Sequence, residues 1–244
     1  MPAHAIPAVR LLPDGTVLQN RLLAALSTAA YARLQAELTM HTSETGVTLQ
    51  AHGEPVTNVF FPNGGVFSVT NEMRDGSLVE VATVGREGML GVGVFLGDRV
   101  GAGRSFLQVP DGPFPSMPVS RFLKETARGP FREIVARYAQ ANLLQVMQCT
   151  ACNALHDVKQ RCSRWLLQTQ DRVGAREFLL KQEFLAIMLG VRRPTVTLVM
   201  GALQRQGLIA SRYGRIRVLQ QRKLQETSCE CYDVIRGHFA RLGL

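Results

Sequence analysis

The sequence predicts an α+β protein of two domains: an antiparallel β-rich N-terminal half, a long connecting helix and a C-terminal winged helix-turn-helix. Three features predict it. Short β-type runs broken by glycine fill residues 47–118, a glycine-poor stretch with an apolar stripe follows, and QEFLAIMLGVRRPTVTLVMGALQRQGLI occupies residues 182–209 ahead of a basic hairpin. A length of 244 residues suits two moderate domains, each able to bury its own core. The expected division is a β-rich domain at 1–128, a connecting helix at 129–153 and a helix-turn-helix domain at 154–244.

In chain order, residues 20–38 place Leu22, Leu23, Leu26, Leu34 and Leu38 at helical spacing, which indicates a short helix or a helix pair. Strand-like runs follow at 47–50, 57–61, 66–70, 78–83 and 105–109, separated by turn glycines. Many short strands at near-regular spacing point to an antiparallel sandwich or roll and disfavour a βαβ enzyme fold. Asp75-Gly76 marks a hairpin, because a turn with positive φ tolerates Asp and Gly best. A long helix starting near Gly129-Pro130 carries Phe131, Ile134, Val135, Tyr138, Ala141, Leu144 and Val146 in one stripe. Lying between two domains, it is expected to pair with a copy of itself through Phe131, Ile134, Val135 and Tyr138, giving a homodimer. Another helix is expected over 154–172, with Trp165 in its core face.

Charge divides the chain in the same place. Residues 155–244 hold 16 Lys+Arg against 7 Asp+Glu, whereas residues 1–154 hold 12 of each, so the whole net charge of +9 lies in the last ninety residues. Clustered cations beside a neutral module fit a polyanion-binding domain attached to a sensing or assembling one; a merely solubilising surface is the plainer alternative.

Residues 182–209 decide between them. Phe184, Leu185 and Met188 form the inner face of a first helix, Gly190 permits a tight turn, and a second helix starts near Pro194, where a missing N–H costs nothing. Val196, Val199, Met200 and Leu203 anchor that second helix, leaving Arg192, Arg193, Thr195, Thr197 and Leu198 around its outward N-terminal portion. Residues 210–219 read as a hairpin turning at Tyr213-Gly214 and carrying Arg212, Arg215 and Arg217 as a basic wing. Arg can grip guanine in two places and Thr can touch a thymine methyl or a phosphate, so these residues are the expected contacts to double-stranded DNA.

Through NRLLAAL, GEPVTNVFFP, DGSLVEVATVGREGMLG, NALHDVKQRCSRWLL and the 182–209 segment, the chain resembles the Crp/Fnr family of bacterial regulators over residues 20–235. The catabolite activator protein of that family is a standard helix-turn-helix example. The resemblance implies a cyclic-nucleotide-binding-like β-roll, a dimerisation helix and a winged helix on a near-palindromic operator, with an unidentified small-molecule effector and RNA polymerase as further candidate partners. Relatives that bind cyclic nucleotides use a Gly-Glu pair, an Arg-Ser-Ala run and hydroxyls on the dimer helix. Here the corresponding residues are Gly91-Val92, Arg104-Ser105 followed by Phe106, and Val146 and Met147. A site lacking its designed hydrogen-bond partners loses affinity steeply, so a cyclic-nucleotide-responsive regulator is the alternative rather than the expectation. A sensor module acting on a protein partner is a second alternative, opposed by the helix-turn-helix and wing.

No cofactor or metal is assigned. An N-terminal cysteine cluster of the oxygen-sensing kind is excluded because the first cysteine is Cys149, and His41 and His52 read as surface histidines rather than haem ligands. Cys149-x-x-Cys152 and Cys229-x-Cys231 have spacings compatible with zinc or redox chemistry, while small buried residues also simply pack. An enzyme is not expected: Cys162, the best nucleophile, sits six residues from His156, near the opposite side of one helix. No apolar run approaches the ~20 residues of a membrane span, and MPAHAIPAVRLLPDG lacks the pattern of a leader, so the expected location is the cytoplasm.

Overall fold

A computed structural model describes residues 9–243; residues 1–8, the first half of the segment read above for a leader, lie outside the described residues. The leucine run is a helix pair, α1 (Arg21–Ala24) and α2 (Thr28–Gln35). Asn20 and Ser27 cap them, accepting from the Leu23 and Ala30 N–H groups.

The roll follows as β1 (Thr39–His41), β2 (Thr48–Gln50), β3 (Asn58–Phe60), β4 (Val66–Glu72), β5 (Leu78–Val84), α3 (Val92–Phe95), β6 (Arg104–Val109) and β7 (Phe114–Pro118), closed by α4 (Val119–Glu125). Two antiparallel sheets, ordered β1-β7-β3 and β2-β6-β4-β5, face each other. Gly76 adopts a φ of 78° in the β4–β5 hairpin, as the Asp-Gly pair requires. Phe60, Phe67, Leu107 and Phe114 fill the roll, with the Phe67 and Phe114 rings edge-on at 4.9 Å.

Helix α5 (Pro130–Leu155) starts where the glycine-proline pair indicates, but its apolar stripe does not face outward. Phe131, Ile134, Val135 and Tyr138 are buried in this chain's own core with Leu22, Leu23, Phe61 and Phe122, which removes them from the expected dimer face. A long helix beside a roll must first cover the roll, and its largest side chains do so. Tyr138 donates its hydroxyl to the Met89 carbonyl at 2.9 Å, and its ring lies where any side chain at Gly88 would stand. On the opposite side Leu143, Met147 and Leu155 are 59%, 60% and 80% exposed.

The chain breaks at His156, and α6 (Val158–Val173) begins under a capping box made by Asp157 and Gln160, four residues later than the apolar spacing predicts. Then come β8 (Glu177–Leu179), α7 (Gln182–Leu189), α8 (Arg193–Arg205), β9 (Ile209–Arg212), β10 (Arg215–Val218), α9 (Gln221–Thr227) and α10 (Cys231–Arg241). Trp165, Leu185, Val196, Met200 and Ile216 form this half's core. The last helix belongs to both halves: Tyr232 joins the winged-helix core, while Ile235 and Phe239 join the core around α5. Among the described residues no single helix is long and apolar enough to cross a membrane.

The halves are docked. Phe184 of α7 packs on Phe106 of β6 with ring centres 5.6 Å apart, and Val66 and Val109 of the roll join the winged-helix core. Beside them lies the buried guanidinium of Arg172, on α6. It donates to Glu87 Oε1 at 2.8 Å, to the Thr83 carbonyl at 3.1 Å, to the Thr83 hydroxyl, and to Gln145 Oε1 of α5 at 3.0 Å. Arg172→Met should cost about 3–5 kcal/mol in urea unfolding, because it strands the Glu87 carboxylate in the interior.

Glu80, on β5, accepts from the Ser68 hydroxyl at 2.7 Å, and burial near the domain boundary pushes its carboxyl up to about 7 against the pull of Ser68, Arg164 and Arg172. From the ordinary value of 4.5 up to that point the folded chain holds a proton that the unfolded chain has lost, so stability falls as pH rises. The expected loss between about pH 4.5 and 7 is on the order of 2–3 kcal/mol. Urea titrations across that window should show it in the native chain and not in Glu80→Gln.

Candidate DNA-binding surface and effector pocket

Gly190, with a φ of 60°, ends α7 and lets the chain turn into α8, whose axis lies 104° from that of α7. Val196, Met200 and Leu203 bury one side of α8. Its N-cap, Arg192, makes no side-chain cap; Pro194 has no N–H and the Thr195 N–H donates to the Arg192 carbonyl at 3.0 Å, which leaves the Arg193 N–H of the first turn for an outside acceptor. Around that end Arg192, Arg193 and Thr197 are exposed, Thr195 is half-buried, and Leu198 is 72% exposed. The Thr197 hydroxyl is within 3.1 Å of Gln182 Oε1, which ties the two helices together at the surface.

The wing forms as the sequence indicates. Tyr213 and Gly214 both have positive φ, 50° and 73°, the pattern of a tight hairpin turn. Arg212 lies over the Tyr213 ring at 5.0 Å. One element escapes the sequence reading: β8 pairs with β10 and brings Glu177 opposite Arg217. Arg217 donates to Glu177 Oε2 at 2.7 Å and Arg215 Nη1 lies 3.5 Å from Oε1, so both wing arginines already share an anion. The hydrogen bond from Arg217 holds the Glu177 carboxyl below its usual range. The run Glu177–Leu179 carries no β-type pattern bounded by turn residues on both sides, but Glu177 within a basic region was a visible signal.

The effector residues divide. Gly91, Val92, Ser105 and Val146 line a cavity of about 260 Å³ between the roll and α5, together with Val69, Val84, Met89 and Asn142. Arg104 and Met147 do not line it. Arg104 is drawn outward to Thr48 Oγ1 at 2.9 Å and the Gly46 carbonyl at 3.0 Å, and Met147 lies on the exposed side of α5. Among the described residues Asp98 is the one charged group in the lining, so a phosphate entering the cavity would meet a carboxylate and no cation. His41 is half-buried rather than on the surface, bonded to Ser116 at 2.7 Å and flanked by Phe60 and Phe114.

Cysteines separate by environment. Cys162 is fully buried against Met200, and burial pushes its thiol up to about 12. The two short cysteine motifs meet: Cys152 at the end of α5 lies with Cys229 and Cys231 at the start of α10, and His156 joins them.

An exposed second helix, a basic wing and a cavity in the upstream roll together make a winged helix-turn-helix joined to a pocket-bearing domain. Residues 160–227 match the model of the Crp-like helix-turn-helix domain. No curated protein matches the chain in sequence. Among solved structures, a CRP-family transcriptional regulator from Thermus thermophilus is similar at 20% identity over 78% of this chain and 96% of its own, with a TM-score of 0.65. FixK2 from Bradyrhizobium japonicum is similar at 14% identity over 79% and 98%, with a TM-score of 0.68. The c-di-GMP-responsive global regulator CLP from Xanthomonas campestris is similar at 18% identity over 79% and 99%, with a TM-score of 0.63. Residues 160–227 thus form a Crp-like helix-turn-helix domain, and the fold of the chain as a whole is that of these CRP-family structures.

Proposed function

We propose that the chain acts in the cytoplasm as a homodimeric, sequence-specific regulator that lays α8 in the major groove and switches on an uncharged, largely apolar effector. The observation that carries the DNA reading is the uncapped, exposed N-terminal end of α8 beside the wing. In this reading Arg193, Thr195 and Thr197 face base edges, Leu198 meets a thymine methyl, and Arg192, Arg212, Arg215 and Arg217 lie along the backbone. Two half-sites stand one helical turn apart, as a two-fold dimer requires. RNA polymerase is the partner an activator would use.

Dimerisation is assigned to the outer side of α5. Ala136, Leu143, Met147, Ala151 and Leu155 recur there at spacings of seven, four, four and four, a stripe suited to a second copy of the same helix. The effector reading rests on the cavity lining. Alternation along the strands supports a relay from it: Ser105 faces the cavity while Phe106 meets Phe184 of α7, and Ala82 and Val84 face it while Thr83 binds Arg172. A ligand that spreads the lining would move both contacts.

Replacing Arg193 by Ala should cost about 1–3 kcal/mol on the cognate site and relax preference at one base pair per half-site. Arg215→Ala should weaken all sequences alike, and salt titration of binding separates the two; equal loss on cognate and random DNA for Arg193→Ala would show the register of α8 to be wrong. Leu143→Glu with Met147→Glu should give a monomer by light scattering while leaving the fold intact, whereas a wild type already monomeric at micromolar concentration would refute the dimer.

A further inference from the structure

Cys152, His156, Cys229 and Cys231 come from two segments that are distant in sequence, yet their ligand atoms all lie within 4.8 Å of one another. Cys152 lies in the last turn of α5 and His156, four residues on, is the extended C-cap residue, its N–H donating to the Cys152 carbonyl at 3.1 Å. Cys229 and Cys231 straddle Glu230 at the start of α10. Cys152 Sγ is 3.5 Å from Cys229 Sγ, and Cys231 Sγ is 3.5 Å from His156 Nδ1. A tetrahedral zinc with Zn–S of ~2.3 Å and Zn–N of ~2.0–2.1 Å needs edges of about 3.8 Å between sulfurs and about 3.5 Å between sulfur and nitrogen. Two of the six edges are therefore within about 0.3 Å of those lengths, and the remaining pairs lie within 4.8 Å.

The surroundings fit a cation as well. His156 turns Nδ1 inward, and Glu230 Oε2 lies 3.2 Å from its other nitrogen, the arrangement by which a carboxylate orients a metal-bound imidazole. Gln148 Nε2 donates to Cys231 Sγ at 3.0 Å, which supports a sulfur carrying charge. All three cysteines are buried in a cluster of their own, apart from the hydrophobic cores. A disulfide between Cys152 and Cys229 would leave the inward histidine and its carboxylate without a role. A multi-iron cluster would need its cysteines spread wider than these.

We infer that Cys152, Cys229, Cys231 and His156 form a closed site of three thiolates and one imidazole for a single zinc ion, pinning the end of α5 to the start of α10 across the break at His156. Four protein ligands leave no open position, so the metal is structural. Its place matters because α5 belongs to the roll, α6 on the far side of the break begins the winged helix, and α10 packs on both cores. Zinc at this corner fixes the angle between sensor and DNA-binding halves. That second role rests on the DNA reading above; the metal site does not.

The test uses the full-length chain, reduced and reconstituted with Zn²⁺ or Co²⁺. Elemental analysis should find one zinc per chain, and cobalt should give the intense ligand-field and thiolate charge-transfer bands of a tetrahedral site with three sulfur ligands and one nitrogen. Cys229→Ser and His156→Ala should each abolish stoichiometric zinc, while Cys149→Ala should retain it. If the variants fail to fold, the wild-type cobalt spectrum decides alone. Substoichiometric metal, a six-coordinate cobalt spectrum, or a Cys152–Cys229 disulfide in a chain that binds no metal after reduction overturns the site. Chelation should lower operator affinity about 5-fold or more; unchanged affinity overturns the angular role. Zinc bound at one equivalent in a chain that binds no DNA supports the site and counts against the DNA reading instead.

Discussion

The buried guanidinium of Arg172 is the densest polar tie between the two halves of this molecule. Arg172 leaves the winged helix on α6 and finds its acceptors on β5, on the loop carrying Glu87 and on α5. Taking a guanidinium out of water is expensive, and only a complete set of acceptors offsets that cost. The arrangement is therefore intolerant of partial separation: sliding the domains by a hydrogen-bond length would strand Arg172 and Glu87 together. Apolar contacts such as Phe106 on Phe184 would tolerate such a slide, so the ionic cluster sets the relative position and the aromatic contact adds area.

Around that point the roll is a two-sided device. Strands β5 and β6 carry side chains to both sides, Ala82, Val84 and Ser105 toward the cavity and Thr83 and Phe106 toward the DNA-binding half, which is the basis of the proposed relay. The absence of cations among the described cavity-lining residues follows from Arg104 being drawn to Thr48 and Gly46, while Val92 makes the lining apolar where the resemblance leads one to expect a carboxylate. The fold is kept while the chemistry of its pocket has changed.

The helix-turn-helix was legible in the sequence because its signals are local: Gly190 for the turn, Pro194 in the first turn and an apolar period across both helices. The five main strands and the Asp75-Gly76 hairpin were legible for the same reason. What the sequence concealed was non-local. Periodicity shows that α5 has an apolar side but not whether a roll or a second copy covers it, and Phe131, Ile134, Val135 and Tyr138 belong to the roll. Short β1, β7 and β8 are defined by partners rather than by pattern. The meeting of Cys152 with Cys229 and Cys231 depends on α10 folding back along α5, which no spacing within either motif encodes.

Glu177 changes the energetic character of the wing. A free arginine arriving at a phosphate gains a partner, whereas Arg215 and Arg217 must give one up or share it. In the proposed DNA reading the wing exchanges one anion for another, which lowers, without abolishing, what Arg215 and Arg217 gain at a phosphate. The burden of holding the molecule on DNA shifts toward the uncapped end of α8, where contact depends on what the groove presents.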